Sequence, residues 1–124
     1  MSNVPSNLSY TKDHEWVLVE GDQMTVGITQ YAADALGDVV YVDQPSVGSS
    51  ISASSIVGEV ESTKSVGEIF APASGDVVEV NQAVVDDPSL INRDPFGEGW
   101  LFKITSSDTP EFLDADAYRA LIGE

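Results

Sequence analysis

The sequence predicts an all-β sandwich or barrel with a few short helices, one of them at the C-terminus. Short runs rich in Val, Ile and aromatic residues recur along the chain. Turn residues interrupt them roughly every eight to twelve positions, the spacing of β-sandwiches and barrels. Apolar residues at i, i+3 and i+4 are confined to brief stretches, too short for a helical bundle.

Tyr10-Thr-Lys-Asp-His-Glu-Trp16 leads into a first strand, Val17–Glu20, and Gly21-Asp22 turns it into a second, Gln23–Ile28. Thr29 is placed to cap a short helix from Gln30 to Leu36, closed by Gly37, with Tyr31, Ala35 and Leu36 as its apolar stripe. Val39-Val-Tyr-Val42 reads as a buried-type strand, and Val47–Ile51 as a weak one. Two β-prone runs, Ser55–Glu61 and Val66–Phe70, flank Ser62-Thr-Lys-Ser65 and predict a hairpin. Ser74-Gly75 turns into a strand over Asp76–Val80, and Asp87-Pro88 predicts a helical turn or two over 88–92. The loop Asp94–Gly99 precedes a last strand, Trp100–Ile104. After Thr109-Pro110, Asp114 caps a helix over 114–122 that turns Tyr118, Leu121 and Ile122 inward.

With 124 residues and no linker or low-complexity segment, residues 1–124 read as one domain, with 1–9 as a loosely ordered N-terminus. The longest apolar runs are far short of a membrane span. The first nine residues carry neither a basic region nor an apolar stretch, so no targeting peptide is expected and a cytoplasmic location is. The absence of cysteine excludes disulfides, zinc thiolates and a cysteine nucleophile. A net charge of −16, with 21 acidic and 5 basic residues, argues against nucleic acid or an anionic membrane as partner. Such acidity also fits a salt-rich cytoplasm, where short screening lengths quieten self-repulsion; an acidic protein of an ordinary cytoplasm is the plainer reading.

Catalytic patterns are scarce. His14 is the single histidine, so no histidine-based metal cluster is expected, and a structural or surface role suits it better than a triad. There is no Gly-x-Ser-x-Gly elbow, calcium loop or phosphate-cradling glycine run. Asp86-Asp87 and Asp114-x-Asp116 read as helix N-terminal acids. An autonomous enzyme is not expected.

Attention therefore falls on Lys64, one of three lysines, at the tip of the predicted hairpin. If Thr63 and Lys64 occupy the central turn positions, Glu59 faces Glu68 and Val60 faces Gly67. Carboxylates opposed in this way cost a fraction of a kcal/mol, roughly 0.2–1, so stability alone does not select the arrangement. On pattern alone, Lys64 reads equally well as a solubilising turn lysine or as a displayed functional amine.

A resemblance separates those readings. Glu61-Ser62-Thr63-Lys64 with Ala71-Pro-Ala-Ser-Gly75 resembles the attachment hairpin of biotinyl and lipoyl carrier domains, and Gly48 and Gly75, sixteen before and eleven after Lys64, match glycines of those domains. Tyr10–Trp16, Val26–Thr29, Ala35–Val42, Glu79-Val-Asn81 and Asp94–Trp100 are similar, in order and spacing, to the glycine cleavage system H-protein family. A biotin carrier would be expected to show Met beside the lysine, where this chain has Thr63 and Ser65.

The resemblance implies a mainly β, carrier-type sandwich (a barrel-sandwich hybrid) with lipoic acid in amide linkage on Lys64. It implies a non-catalytic shuttle that carries an aminomethyl group from a pyridoxal-phosphate glycine decarboxylase (P-protein) to an aminomethyltransferase (T-protein). A dihydrolipoyl dehydrogenase (L-protein) reoxidises the arm, and a lipoate ligase or lipoyltransferase attaches it. Glu15 matches a family glutamate of the cleft that shelters the loaded arm, and Glu68 is a plausible acidic neighbour. Ala35 stands where the family is expected to carry histidine. Three other readings are a lipoyl relay protein, a lipoyl domain of a 2-oxoacid dehydrogenase complex, whose Pro/Ala-rich linkers are missing here, and an unmodified acidic binding module.

Overall fold

The computed structural model describes residues 4–108 and 110–123. Among these described residues, nine strands and four short helices follow in the order β1 Ser9–Tyr10, β2 Glu15–Glu20, β3 Gln23–Ile28, α1 Gln30–Leu36, β4 Val39–Asp43, β5 Ser50–Ile51, β6 Ile56–Ser62, β7 Val66–Phe70, β8 Gly75–Val80, α2 Gln82–Asp86, α3 Leu90–Arg93, β9 Phe102–Thr105 and α4 Ala115–Leu121. They build two antiparallel sheets, one of six strands ordered β1-β2-β3-β9-β8-β5 and one of three ordered β4-β6-β7.

Alternation along the strands explains how the sheets close on one another. Val17, Met24, Val26, Ile28, Val77, Phe102 and Ile104 face inward from the larger sheet, and Val42, Val60 and Ile69 from the smaller one. A second cluster covers part of the other face of the larger sheet, where Trp16 packs with Val4, Leu8, Tyr10, Ala115 and Tyr118. Tyr10 and Tyr118 stack with centroids 4.8 Å apart, joining β1 to the C-terminal helix.

The hairpin has the expected register: Glu59 opposes Glu68, Val60 opposes Gly67 and Glu61 opposes Val66. Thr29 caps α1 by accepting from the Ala32 amide, and Asp114 caps α4 by accepting from Ala117.

Several elements differ from expectation. Residues 4–9 are not loose, because Val4 and Leu8 fill the outer cluster and Ser9-Tyr10 pairs with β2; residues 1–3 and Thr109 of the expected Thr109-Pro110 turn lie outside the described residues. Helix α2 is absent from the sequence reading, and Asp86 and Asp87 end it instead of beginning the next helix. Asn81 caps α2 and Val84 anchors it, a single buried contact too sparse to show a period. The following helix starts at Leu90. In β4 only Val39 and Val42 are buried, because an irregularity between Val39 and Tyr41 leaves Val40 and Tyr41 facing out. The weak strand shrinks to Ser50-Ile51, and the last strand starts at Phe102. Helix α1 buries Ala33 and packs Ala32 and Leu36 on the core, while Tyr31 stays exposed. Leu121 of α4 is likewise exposed, since the short helix docks mainly through Ala115 and Tyr118.

Candidate functional site

The hairpin tip is held by one side chain. The Ser62 hydroxyl accepts from the amides of Lys64 (3.3 Å) and Ser65 (2.9 Å), and the Ser62 amide donates to the Ser65 carbonyl at 2.8 Å. None of residues 62–65 has a positive φ, so the hydroxyl does here what a left-handed glycine does in many tight hairpins. Thr63 is exposed and its amide donates to the Asp38 carbonyl at 3.2 Å, which ties the tip to the start of β4. Lys64 is exposed, and among the described residues no ion pair involves it. Its stem runs over Gly37, so that a β-carbon there would lie 3.1 Å from Cε and 3.7 Å from Cδ.

An apolar cavity of about 290 Å³ opens between α1 and β7, lined by Ile28, Ala32, Leu36, Val60 and Ile69, with Asp13, His14, Tyr31, Ala35, Gly67 and Glu68 completing its wall. Leu36 belongs to this wall and is the chain neighbour of Gly37, over which the lysine stem runs.

Glu68 is exposed at that wall. Glu15 is only 1% exposed, and its carboxylate accepts from the Phe70 amide at 2.7 Å and the Thr11 hydroxyl at 3.2 Å. Burial pushes its pKa up to about 8, the two hydrogen bonds opposing. Its role as an ordinary surface acid is thereby set aside. Glu15 lines a neighbouring cavity of about 330 Å³, and Asp13 borders both. The two carboxylates named from the sequence thus lie in adjoining pockets.

Glu61 sits one residue before the tip strand's end, half-buried and paired across to both Tyr41 and Val66. Gly48 and Gly75 do not join the hairpin. Gly48 leads into β5, which pairs with β8 at Ile51–Gly75, and a β-carbon on Gly75 would stand 2.3 Å from the Thr105 carbonyl. Gly75 permits the close approach of β8 to the Thr105 backbone, and Gly48 supplies the φ of 90° at the turn before β5.

Sequence reasoning gave no site role to Asp13 or Asn92, and placed Tyr118 in the core without linking it to His14. His14 adopts φ 67°, places its ring against Tyr31 and shares a 2.9 Å hydrogen bond from Nδ1 with the Tyr118 hydroxyl. Desolvation lowers its pKa, so the neutral ring is favoured. Nothing in local pattern links position 14 to position 118, although the left-handed histidine follows from the tight Thr11–His14 turn.

A lysine on a tight turn of a two-sheet β scaffold is the arrangement of a carrier domain. Comparison makes the class specific: residues 8–123 match the family model for the glycine cleavage H-protein. A glycine cleavage system H protein of Clavibacter sepedonicus is 58% identical over 96% of this chain and 97% of its own length, and that of Thermobifida fusca is 52% identical over 96% and 95%. The crystal structure of a glycine cleavage system H protein from Mycobacterium marinum superposes with a TM-score of 0.93 at 47% identity, covering 98% of this chain and 100% of that one. The chain belongs to the glycine cleavage H-protein family, the lipoyl-carrying shuttles of that system, and has their lipoyl-carrier β-sandwich fold.

Proposed function

We propose that Lys64 carries lipoate as an amide and that residues 1–124 act as one cytoplasmic, non-catalytic carrier domain. Its partners in this reading are the P-protein, the T-protein, the L-protein and a lipoate ligase or lipoyltransferase. The observation that carries it is an exposed amine, without an ion pair among the described residues, on a turn braced by Ser62 and Asp38 beside an apolar cavity. A lipoyl chain is a flexible hydrocarbon ending in a dithiolane, and the Ile28, Leu36, Val60 and Ile69 walls suit it chemically. Once attached, the group supplies a redox disulfide and a sulfur that takes up an aminomethyl unit.

The chain's own contribution is mechanical and electrostatic. The β6–β7 ladder holds the base of the arm still, while the four-carbon lysine stem leaves the tip free to reach other active sites. The apolar walls of the α1–β7 cavity offer no hydrogen bonds to water beside what rests against them. Asp13 and Glu68 at its wall, and Glu15 beyond Asp13, provide carboxylates for a cation. A cation near Glu15 would favour its charged form and release the proton that burial retains. Acidic faces without cation partners fit basic patches on the partner enzymes.

The experiment is reconstitution. Lipoylated protein mixed with glycine, tetrahydrofolate and the P- and T-proteins should yield methylene-tetrahydrofolate and ammonia. The Lys64→Arg protein, treated identically, should yield none; activity of that variant would refute the reading.

A further inference from the structure

We propose that Asn92 is a positioning residue for the acceptor lysine: it fixes the seat on which the Lys64 stem rests and so sets how the amine is presented for acylation. This rests on the reading of Lys64 as the acylated residue.

Asn92 lies on α3, far from the hairpin in sequence. Its side-chain amide donates to the Gly37 carbonyl at 2.8 Å and accepts from the Val39 amide at 2.9 Å. Both bonds require the oxygen and nitrogen to be oriented as they are, since reversing the amide would set donor against donor and acceptor against acceptor. Strand β4 is an edge strand of its sheet, paired only with β6. Asn92 therefore supplies, from a side chain, the pair of backbone-like bonds that a further strand would have made at Gly37–Val39.

The residues so clamped are those that touch the tip. Asp38, between the two bonded groups, accepts from the Thr63 amide at 3.2 Å. Val39 is paired with Ser62, whose hydroxyl organises the turn. Gly37 lies under the lysine methylenes, 3.1 Å from Cε as a β-carbon there would measure. The clamped segment touches Lys64 directly at Gly37, and through Thr63 and Ser62 at the other two points. The β6–β7 pairing, by contrast, does not depend on Asn92. Loss of the amide should thus free the seat while leaving the strand faces that a ligase would meet.

In acylation the Lys64 amine attacks the carbonyl of lipoyl adenylate; the amide C–N bond forms, the acyl–phosphate bond breaks, AMP departs and the amine gives up a proton. Such a step depends steeply on where the nucleophile is held.

The test uses the full-length apo-protein with lipoate ligase, lipoate and ATP. Asn92→Ala should lower kcat for acylation about tenfold with KM changed less than twofold. Asn92→Asp, which keeps the acceptor for Val39 but loses the donor to Gly37, should also lower kcat and serves if the alanine variant does not fold. Leu8→Ala, a truncation in the outer cluster on the far face of the larger sheet, is the control for lost stability and should acylate as wild type does. Native-state hydrogen exchange, which needs no acylation, should show the Thr63 amide losing protection in the Asn92 variants while those of Gly67 and Ile69 keep theirs. Wild-type kcat in both Asn92 variants, an equal fall in Leu8→Ala, or unchanged Thr63 exchange would overturn the proposal. A wild-type protein that takes no lipoyl group would instead overturn the underlying reading of Lys64, a result the exchange data would leave standing apart.

Discussion

The Lys64 stem crosses Gly37, and a β-carbon at Gly37 would sit 3.1 Å from its Cε. Gly37 has φ 88° and ψ −158°, a region that residues with side chains avoid at a cost of about 1–3 kcal/mol. Gly37→Ala should therefore destabilise the fold by about that amount and displace the lysine stem at once. Urea unfolding and the acylation rate of the same variant check both parts, and an unchanged midpoint would contradict the first.

Burial of Glu15 makes stability pH-dependent. Its folded pKa is raised from 4.5 to about 8, so the folded state holds a proton that the unfolded chain has released between those values. Stability is then greatest below pH 4.5 as far as this group is concerned and falls as pH rises toward about 8, by at most about 1.4 kcal/mol per unit. His14 acts oppositely, since its lowered pKa makes stability rise with pH up to about its ordinary 6.5. Comparing wild type with Glu15→Gln isolates the glutamate. The glutamine can still accept from Phe70, and the variant should gain stability over wild type as pH goes from 6 to 8. Parallel curves would refute it.

Self-repulsion among the acids should yield to salt. Only three ion pairs occur among the described residues, Arg93–Asp87, Lys103–Glu79 and Arg119–Asp116. Asp43, Glu59 and Glu68 stand in one cross-strand row of the smaller sheet. Unfolding midpoints should rise from low to molar sodium chloride; a flat response would end the idea of adaptation to a salty cytoplasm.

Gly75 acts at a distance from the hairpin. A methyl group there would meet the Thr105 carbonyl at 2.3 Å, so Gly75→Ala should cost about 1–3 kcal/mol through a forced shift of β8 against β9. Under conditions where the variant is folded, its Lys64 should still be acylated at the wild-type rate, because neither β6 nor β7 carries the change. A slowed rate in folded protein would show that Gly75 shapes the hairpin itself.

The hairpin was legible because its information is local. Alternation sets which faces of β6 and β7 turn inward, Ser62–Ser65 supply the turn, and the Glu59–Glu68 pairing follows by counting. The caps at Thr29 and Asp114 were readable for the same reason. The partners of Asn92, Glu15 and His14 were not, since Gly37 and Val39, Phe70, and Tyr118 are brought near them only by the folded chain. Val40 and Tyr41 misled because a bulge shifts alternation without leaving a mark in hydrophobicity. Helix α2 escaped because five residues with one buried side chain present no period at all.

The proposed function depends on one amide bond. The direct measurement is peptide mass mapping of the full-length protein after incubation with lipoate ligase, lipoate and ATP. A gain of about 188 Da confined to the peptide holding Lys64, and missing from Lys64→Arg, is the expected result. An unmodified Lys64, or the same gain on Lys12 or Lys103, would contradict the account.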